Sequence, residues 1–186
     1  MLKSCFGILI VLMASCLNAQ NYIGEEFYFS FQANVDPLFN GPPIFEVSIH
    51  AIDDLEATVE YANPTNPLFE VQSINLYAVE VRVVSFDQGL FLNQENLDVV
   101  EPISFKVTCT GNARVYAFHN RLFYADSSPV LPTTSLGTDY SVMTFDGGIS
   151  PSIVSIIATE AYTTINVSHT ATSAFGNPGD TFKLTI

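Results

Sequence analysis

The side chains best suited to chemistry are three histidines. His50, His119 and His169 each lie in a segment that alternates between apolar and polar residues, and such alternation is typical of a strand. A serine hydrolase of the common type would need its nucleophile on a sharp strand-to-helix turn, and the Gly-x-Ser-x-Gly motif of that turn is absent from the sequence. We therefore predict no catalytic residue, and a hydrolase is the weakest functional alternative.

A second candidate for chemistry is an acidic turn. Asp53, Asp54 and Glu56 place three carboxylates close together. Calcium loops alternate their acidic positions around a central glycine, and this turn does neither. A solvated turn between two strands explains the same residues, so we predict no metal site and no cofactor.

The first 19 residues have the features of a secretory signal peptide. Lys3 supplies a positive start, residues 6–13 form an apolar run too short to span a bilayer, and Ala19 is a small residue at the cleavage position. We predict a mature domain at residues 20–186 that is secreted or held at the cell surface, without membrane insertion. Lipid attachment at Cys16 is an alternative, because residues 13–16 resemble a bacterial lipobox.

After cleavage, Cys109 would be the single remaining cysteine, so no internal disulfide is expected. It is in phase with Phe105 and Val107, which predicts a small buried side chain. The formal net charge of −13 should repel nucleic acid and anionic membranes, so we expect neither as a partner. Because 48% of the residues are hydrophobic and 13% are charged, the chain should fold.

A period of two predicts strands almost throughout the mature chain. In one predicted strand, Val79, Val81 and Val83 alternate with polar residues, which indicates that they face the core. Gly111-Asn112 and Gly147-Gly148 are expected turns. We predict one all-β domain, an antiparallel β-sandwich or distorted barrel of about ten short strands. The predicted strands are 26–33, 44–51, 55–61, 74–84, 103–109, 113–119, 138–145, 152–158, 162–169 and 181–185.

Four segments resemble the N-terminal domain of IgG Fc-binding-type proteins, a family of extracellular β modules. They are residues 24–31 with Asn34, residues 115–120 with 126–128, residues 131–132 with 136–140, and residues 157–160 with 163–167. Two features depart from the family pattern. Residues 112–114 replace its Pro-Ile or Pro-Val step, and the family continues with further strands after the position of Ile186. We therefore expect the domain to be incomplete in this chain.

The resemblance implies a secreted or cell-surface adhesion or binding module, without catalysis, that recognises an extracellular protein or glycan. No Fc-contacting motif can be carried over, so an antibody partner is not implied. The alternative is a carbohydrate-binding accessory module of a secreted hydrolase, although tryptophan, a common sugar-stacking residue, is absent. We expect the polar loop 120–129 and the turn 132–140 to define the structure, and the partner-binding residues are unknown. Exposed tyrosines are the leading candidates for contact: Tyr22, Tyr28, Tyr77, Tyr116, Tyr124, Tyr140 and Tyr162.

Overall fold

The computed structural model describes residues 21–32, 44–63, 66–86, 103–121, 124–143, 154–170, 172 and 176–186. The predicted signal peptide and the predicted turn at Gly147-Gly148 lie outside these residues. The elements are, in order, β1 (Gly24–Phe29), β2 (Ile44–Ala51), β3 (Leu55–Asn63), β4 (Asn66–Leu76), β5 (Val81–Phe86), β6 (Phe105–Arg121), β7 (Tyr124–Val130), a 3-10 helix (Thr133–Ser135), β8 (Thr164–Ser168) and β9 (Thr181–Thr185). No helix in the described ranges is long and apolar enough to cross a membrane.

Seven strands form one antiparallel sheet around β6. Along β6, β3 pairs with the first part and β2 with the second. On the opposite side of β6, β1 pairs with the first part and β7 with the second. Outside these, β4 pairs with β3 and β5 pairs with β2. The sheet curls into a half-barrel, which confirms the prediction of an antiparallel all-β fold.

The ladder is irregular along one line across the sheet, which we call the corner (residues 51–56, 77–80 and 110–112). Ala51 pairs with Ala113 and Ala57 pairs with Cys109, so residues 52–56 lie opposite residues 110–112. An excess of residues on one strand increases the local twist and bends the sheet. The corner therefore accounts for part of the curl.

The prediction of a turn at Gly111-Asn112 was wrong, because β6 runs through both residues as one strand of 17 residues. Glycine serves a different purpose here. A Cβ at Gly111 would lie 3.4 Å from both the Asp54 carbonyl oxygen and the Leu55 Cβ. Glycine inside a strand often marks such a close approach at a bend.

The single strand predicted at 74–84 is also wrong, because a turn at residues 77–80 separates β4 from β5. The buried phase is the same on both sides of the turn, and it is that of Leu76 rather than that of Val79. Val84 and Phe86 are buried, whereas Val81 and Val83 are 50% and 51% exposed. The expectation that the alternating valines face the core is therefore wrong.

The core lines one face of the curled sheet and is rich in phenylalanine. Phe105 lies at its centre, fully buried, with its ring centroid 5.1 Å from that of Phe29 and 4.8 Å from that of Phe86. Each large apolar side chain buried in this way contributes roughly 1.5–3 kcal/mol. Other buried members include Phe27, Phe31, Phe45, Val47, Ile49, Val59, Val107 and Val115.

Strands predicted at 138–145 and 152–158 are not formed in the described residues 138–143 and 154–158. Local contacts hold these segments instead. The Gly137 backbone N–H donates to the Tyr140 hydroxyl at 2.8 Å, and Gln32 donates to the Ser155 hydroxyl at 2.6 Å. The strands predicted near 162–169 and 181–185 are confirmed, since β8 and β9 pair as a separate two-stranded sheet.

Candidate binding surface

The three histidines lie apart and do not form a shared site. His50 Nε2 lies 3.0 Å from the Ser48 hydroxyl, and its ring packs 5.0 Å from that of Tyr116. His119, in β6, packs against Phe45 of β2. His169 comes directly after β8. Ser48 is only 4% exposed, so a substrate has little access to this serine–histidine pair.

The acidic turn stabilises the corner. The Asp54 carboxylate accepts a hydrogen bond from the Ala78 backbone N–H at 2.8 Å. The Asp53 carboxylate accepts one from the Asn112 side-chain amide at 3.0 Å. These contacts join the β2–β3 connection to the turn at residues 77–80 on one side and to β6 on the other. Among the described residues, no group of three or more potential metal ligands is found.

Cys109 is a buried free thiol, as its phase predicts. It belongs to the core cluster and is 4% exposed. Burial, together with the nearby charge of Glu25, raises the pKa of Cys109 to about 11. A thiol that stays protonated at neutral pH is a weak nucleophile, so this residue has a packing role.

The predicted polar loop at 120–129 is mostly strand. Residues 124–130 form β7 and pair with β6, so the expectation of an irregular loop there was wrong.

The turn at 132–140 packs against the sheet. Pro132 is fully buried and bridges Phe27 in β1, and the Ser135 hydroxyl donates to the Asn21 carbonyl at 2.6 Å.

The turn at the corner presents two exposed apolar side chains. Tyr77 is 77% exposed and Val79 is 89% exposed. The Glu80 backbone N–H donates to the Tyr77 carbonyl at 2.9 Å and closes the turn. Val79 has a φ of 64°, in the left-handed region that turns usually fill with glycine. A branched side chain is unusual there.

The Glu80 side chain holds the same turn from the outside. One carboxylate oxygen accepts a hydrogen bond from the Tyr77 backbone N–H at 3.0 Å, and the other forms a 2.6 Å ion pair with Arg82. These two contacts lower the pKa of Glu80 below its ordinary value. The turn is therefore braced in a defined conformation at neutral pH.

The apolar surface continues from the turn along β5. Val81 lies opposite His50 in the ladder, and Val83 lies opposite Ser48. Both valines point away from the core, since Val84 and Phe86, in the opposite phase of the same strand, are buried. We call Tyr77, Val79, Val81 and Val83 together the corner surface. The sequence analysis did not predict this surface. The signal that could have revealed it is the apolar pair Val84 and Phe86, whose phase is opposite to that of Val81 and Val83.

The outer face of the other half of the sheet is charged. Lys106 Nζ lies 2.9 Å from a Glu26 carboxylate oxygen and 5.4 Å from the centroid of the Tyr28 ring. The hydrogen bond with Lys106 is the main cause of a lowered pKa at Glu26, and the same bond raises the pKa of Lys106. The outer face around Glu26 and Lys106 therefore differs in character from the corner surface.

Several of the tyrosines that were predicted to contact a partner are also exposed. Tyr140 and Tyr162 lie outside the sheet with most of their surface accessible, and Tyr22 is partly so. Tyr28 and Tyr116 are half-buried on the outer face. The side chain of Tyr124 lies outside the described part of the chain. The exposed tyrosines are thus spread over separate regions.

Comparison with known proteins gives one finding. Searches of curated proteins and of solved structures found no significant match. A sequence model of the family described as IgGFc binding protein matches residues 126–186. Within the described residues, the matched range holds most of β7, the buried turn at Pro132 and the β8–β9 pair. The resemblance of this chain to the IgGFc binding protein family is therefore confirmed over its last 61 residues.

Proposed function

We propose that the chain is a non-catalytic binding module, secreted or held at the cell surface, that recognises an extracellular protein. The observation that carries the proposal is the corner surface, where four exposed apolar side chains occupy alternate positions of the turn and β5. A contiguous exposed apolar patch often marks an interaction site. The family match supports an extracellular binding role.

Antibody binding does not follow from that match. The corner surface lies outside residues 126–186, so the matched segment does not include the four side chains. The partner is therefore defined by the chemistry of the surface.

A glycan is the second candidate partner. Tyr140 and Tyr162 are exposed and lie within the matched segment, and aromatic rings are suitable for stacking against sugars. This would make the chain an accessory module of a secreted hydrolase. A hydrolase in its own right is disfavoured by the burial of Ser48 beside His50.

Two double variants separate these functions. The secreted chain is immobilised and tested against a panel of extracellular proteins and an array of glycans. We expect a protein ligand whose binding is lost in V81S/V83S and kept in Y140A/Y162A. Binding to glycans alone, lost in Y140A/Y162A and kept in V81S/V83S, would contradict the proposal and favour the accessory module.

A further inference from the structure

The starting observation is the backbone of Val79. A non-glycine residue in the left-handed region costs roughly 1–2 kcal/mol, and nothing in the packing repays it, because the side chain is 89% exposed. Residues held in unfavourable backbone conformations cluster at functional sites. Between Tyr77 and Val81, this conformation leaves an apolar side chain almost fully exposed at the corner.

The rim of this surface is acidic. Asp54 is held against the turn by the Ala78 backbone N–H, and Glu80 is part of the turn itself. Asp53 is exposed on the β2–β3 connection, and Glu56 is exposed at the start of β3. Arg82 is the one basic side chain of residues 51–56, 77–83 and 110–112, and it is paired with Glu80. The rim therefore carries an excess of negative charge.

A depression of about 460 Å³ opens beside the turn. Its lining includes Asp54, Glu56 and Tyr77. Carboxylates and an aromatic ring around one depression suit a cationic group, which gains both charge pairing and contact with the ring face. The depression adjoins the apolar surface, so one partner can contact both.

We propose that the corner surface docks a basic protein partner, whose apolar side chains cover Val79, Val81 and Val83 while a lysine or arginine enters the depression beside Tyr77. This inference rests on the proposed binding function and specifies its partner. An apolar centre within a charged rim is the usual anatomy of a protein interface. A second copy of this chain is a poor occupant, because it would bring one acidic rim against another.

The test uses the full chain labelled with ¹⁵N and two synthetic peptides, one alternating arginine with leucine and one alternating glutamate with leucine. We expect the arginine peptide to shift the amide signals of residues 51–54 and 77–83. Raising the salt from about 0.05 to about 0.3 M should weaken the binding, because it shortens the screening length. V81S/V83S and Val79→Gly should each weaken it about fivefold or more. The matched control is Val71→Ser, which removes an exposed valine from β4 and should leave binding unchanged.

Three results would overturn the inference: equal binding of the glutamate peptide, shifts confined to the charged face around Glu26 and Lys106, or full binding by V81S/V83S. The proposed function would survive any of them if the protein panel still yields a ligand. A panel without any protein ligand would instead remove the proposed function, whatever the peptides do.

Discussion

Replacing Val79 by glycine should stabilise the protein. The left-handed φ of 64° is unfavourable for valine, by roughly 1–2 kcal/mol, and glycine removes this penalty. Glycine also gives the unfolded chain more freedom, which costs about 0.4–1 kcal/mol. Little packing is lost, because the side chain is 89% exposed. The net expectation is a gain of about 0.5–1 kcal/mol, or a rise of about 2–3 °C in Tm for a domain of this size.

Urea denaturation and thermal melts of the two proteins measure this change. Val81→Gly is the matched control, because it removes the same side chain from the regular strand β5. There glycine should destabilise, by about 0.5–1 kcal/mol. If Val79→Gly destabilises the protein as much as Val81→Gly does, the left-handed turn is wrong and the reasoning from backbone strain fails.

Three further predictions concern stability. Gly24→Ala should cost about 1–3 kcal/mol, since a Cβ there would overlap the Pro132 side chain, while Gly137→Ala, whose nearest atoms are 4.0 Å away, should melt like the wild type. Cys109→Ser should cost about 1–3 kcal/mol in urea denaturation, and the native thiol should react slowly with a labelling reagent; rapid labelling would contradict its burial. Because the Glu80 pKa lies below the ordinary 4.5, its stabilising contribution is present above that pH and lost as the pH falls through the folded value. Wild type and Glu80→Gln should therefore differ at neutral pH and converge in acid, and an equal difference at all pH values would refute this.

The fold class was predictable because alternation is a local signal. The strand predicted at 44–51 matches β2, and the inward side chains Val47 and Ile49 are buried as expected. The corner was not predictable in the same way. Glycine followed by asparagine favours a turn locally, but here β6 continues through both residues because neighbouring segments pair on either side. Long-range pairing overrode the local preference.

The candidate site was harder to predict than the fold. The valines at 79, 81 and 83 alternate like a core strand, but the buried phase is that of Leu76, Val84 and Phe86. A turn at residues 77–80 interrupts the run. That turn contains no glycine or proline, since valine occupies the left-handed position. Asp53 and Asp54 lie between β2 and β3, as expected for the acidic turn, whereas Glu56 lies within β3. The role of the turn in holding the corner depends on Ala78 and Asn112, which are distant in sequence.

Site-specific photocrosslinking tests the central claim most directly. A photoreactive phenylalanine derivative replaces Tyr77 in one variant and Tyr140, another exposed tyrosine, in a matched variant. Both are irradiated with the protein ligand identified in the panel. The corner surface predicts an adduct from position 77, joined to a basic segment of the ligand, and none from position 140. An adduct from position 140 alone would contradict the account and place the interaction within the family-matched segment instead.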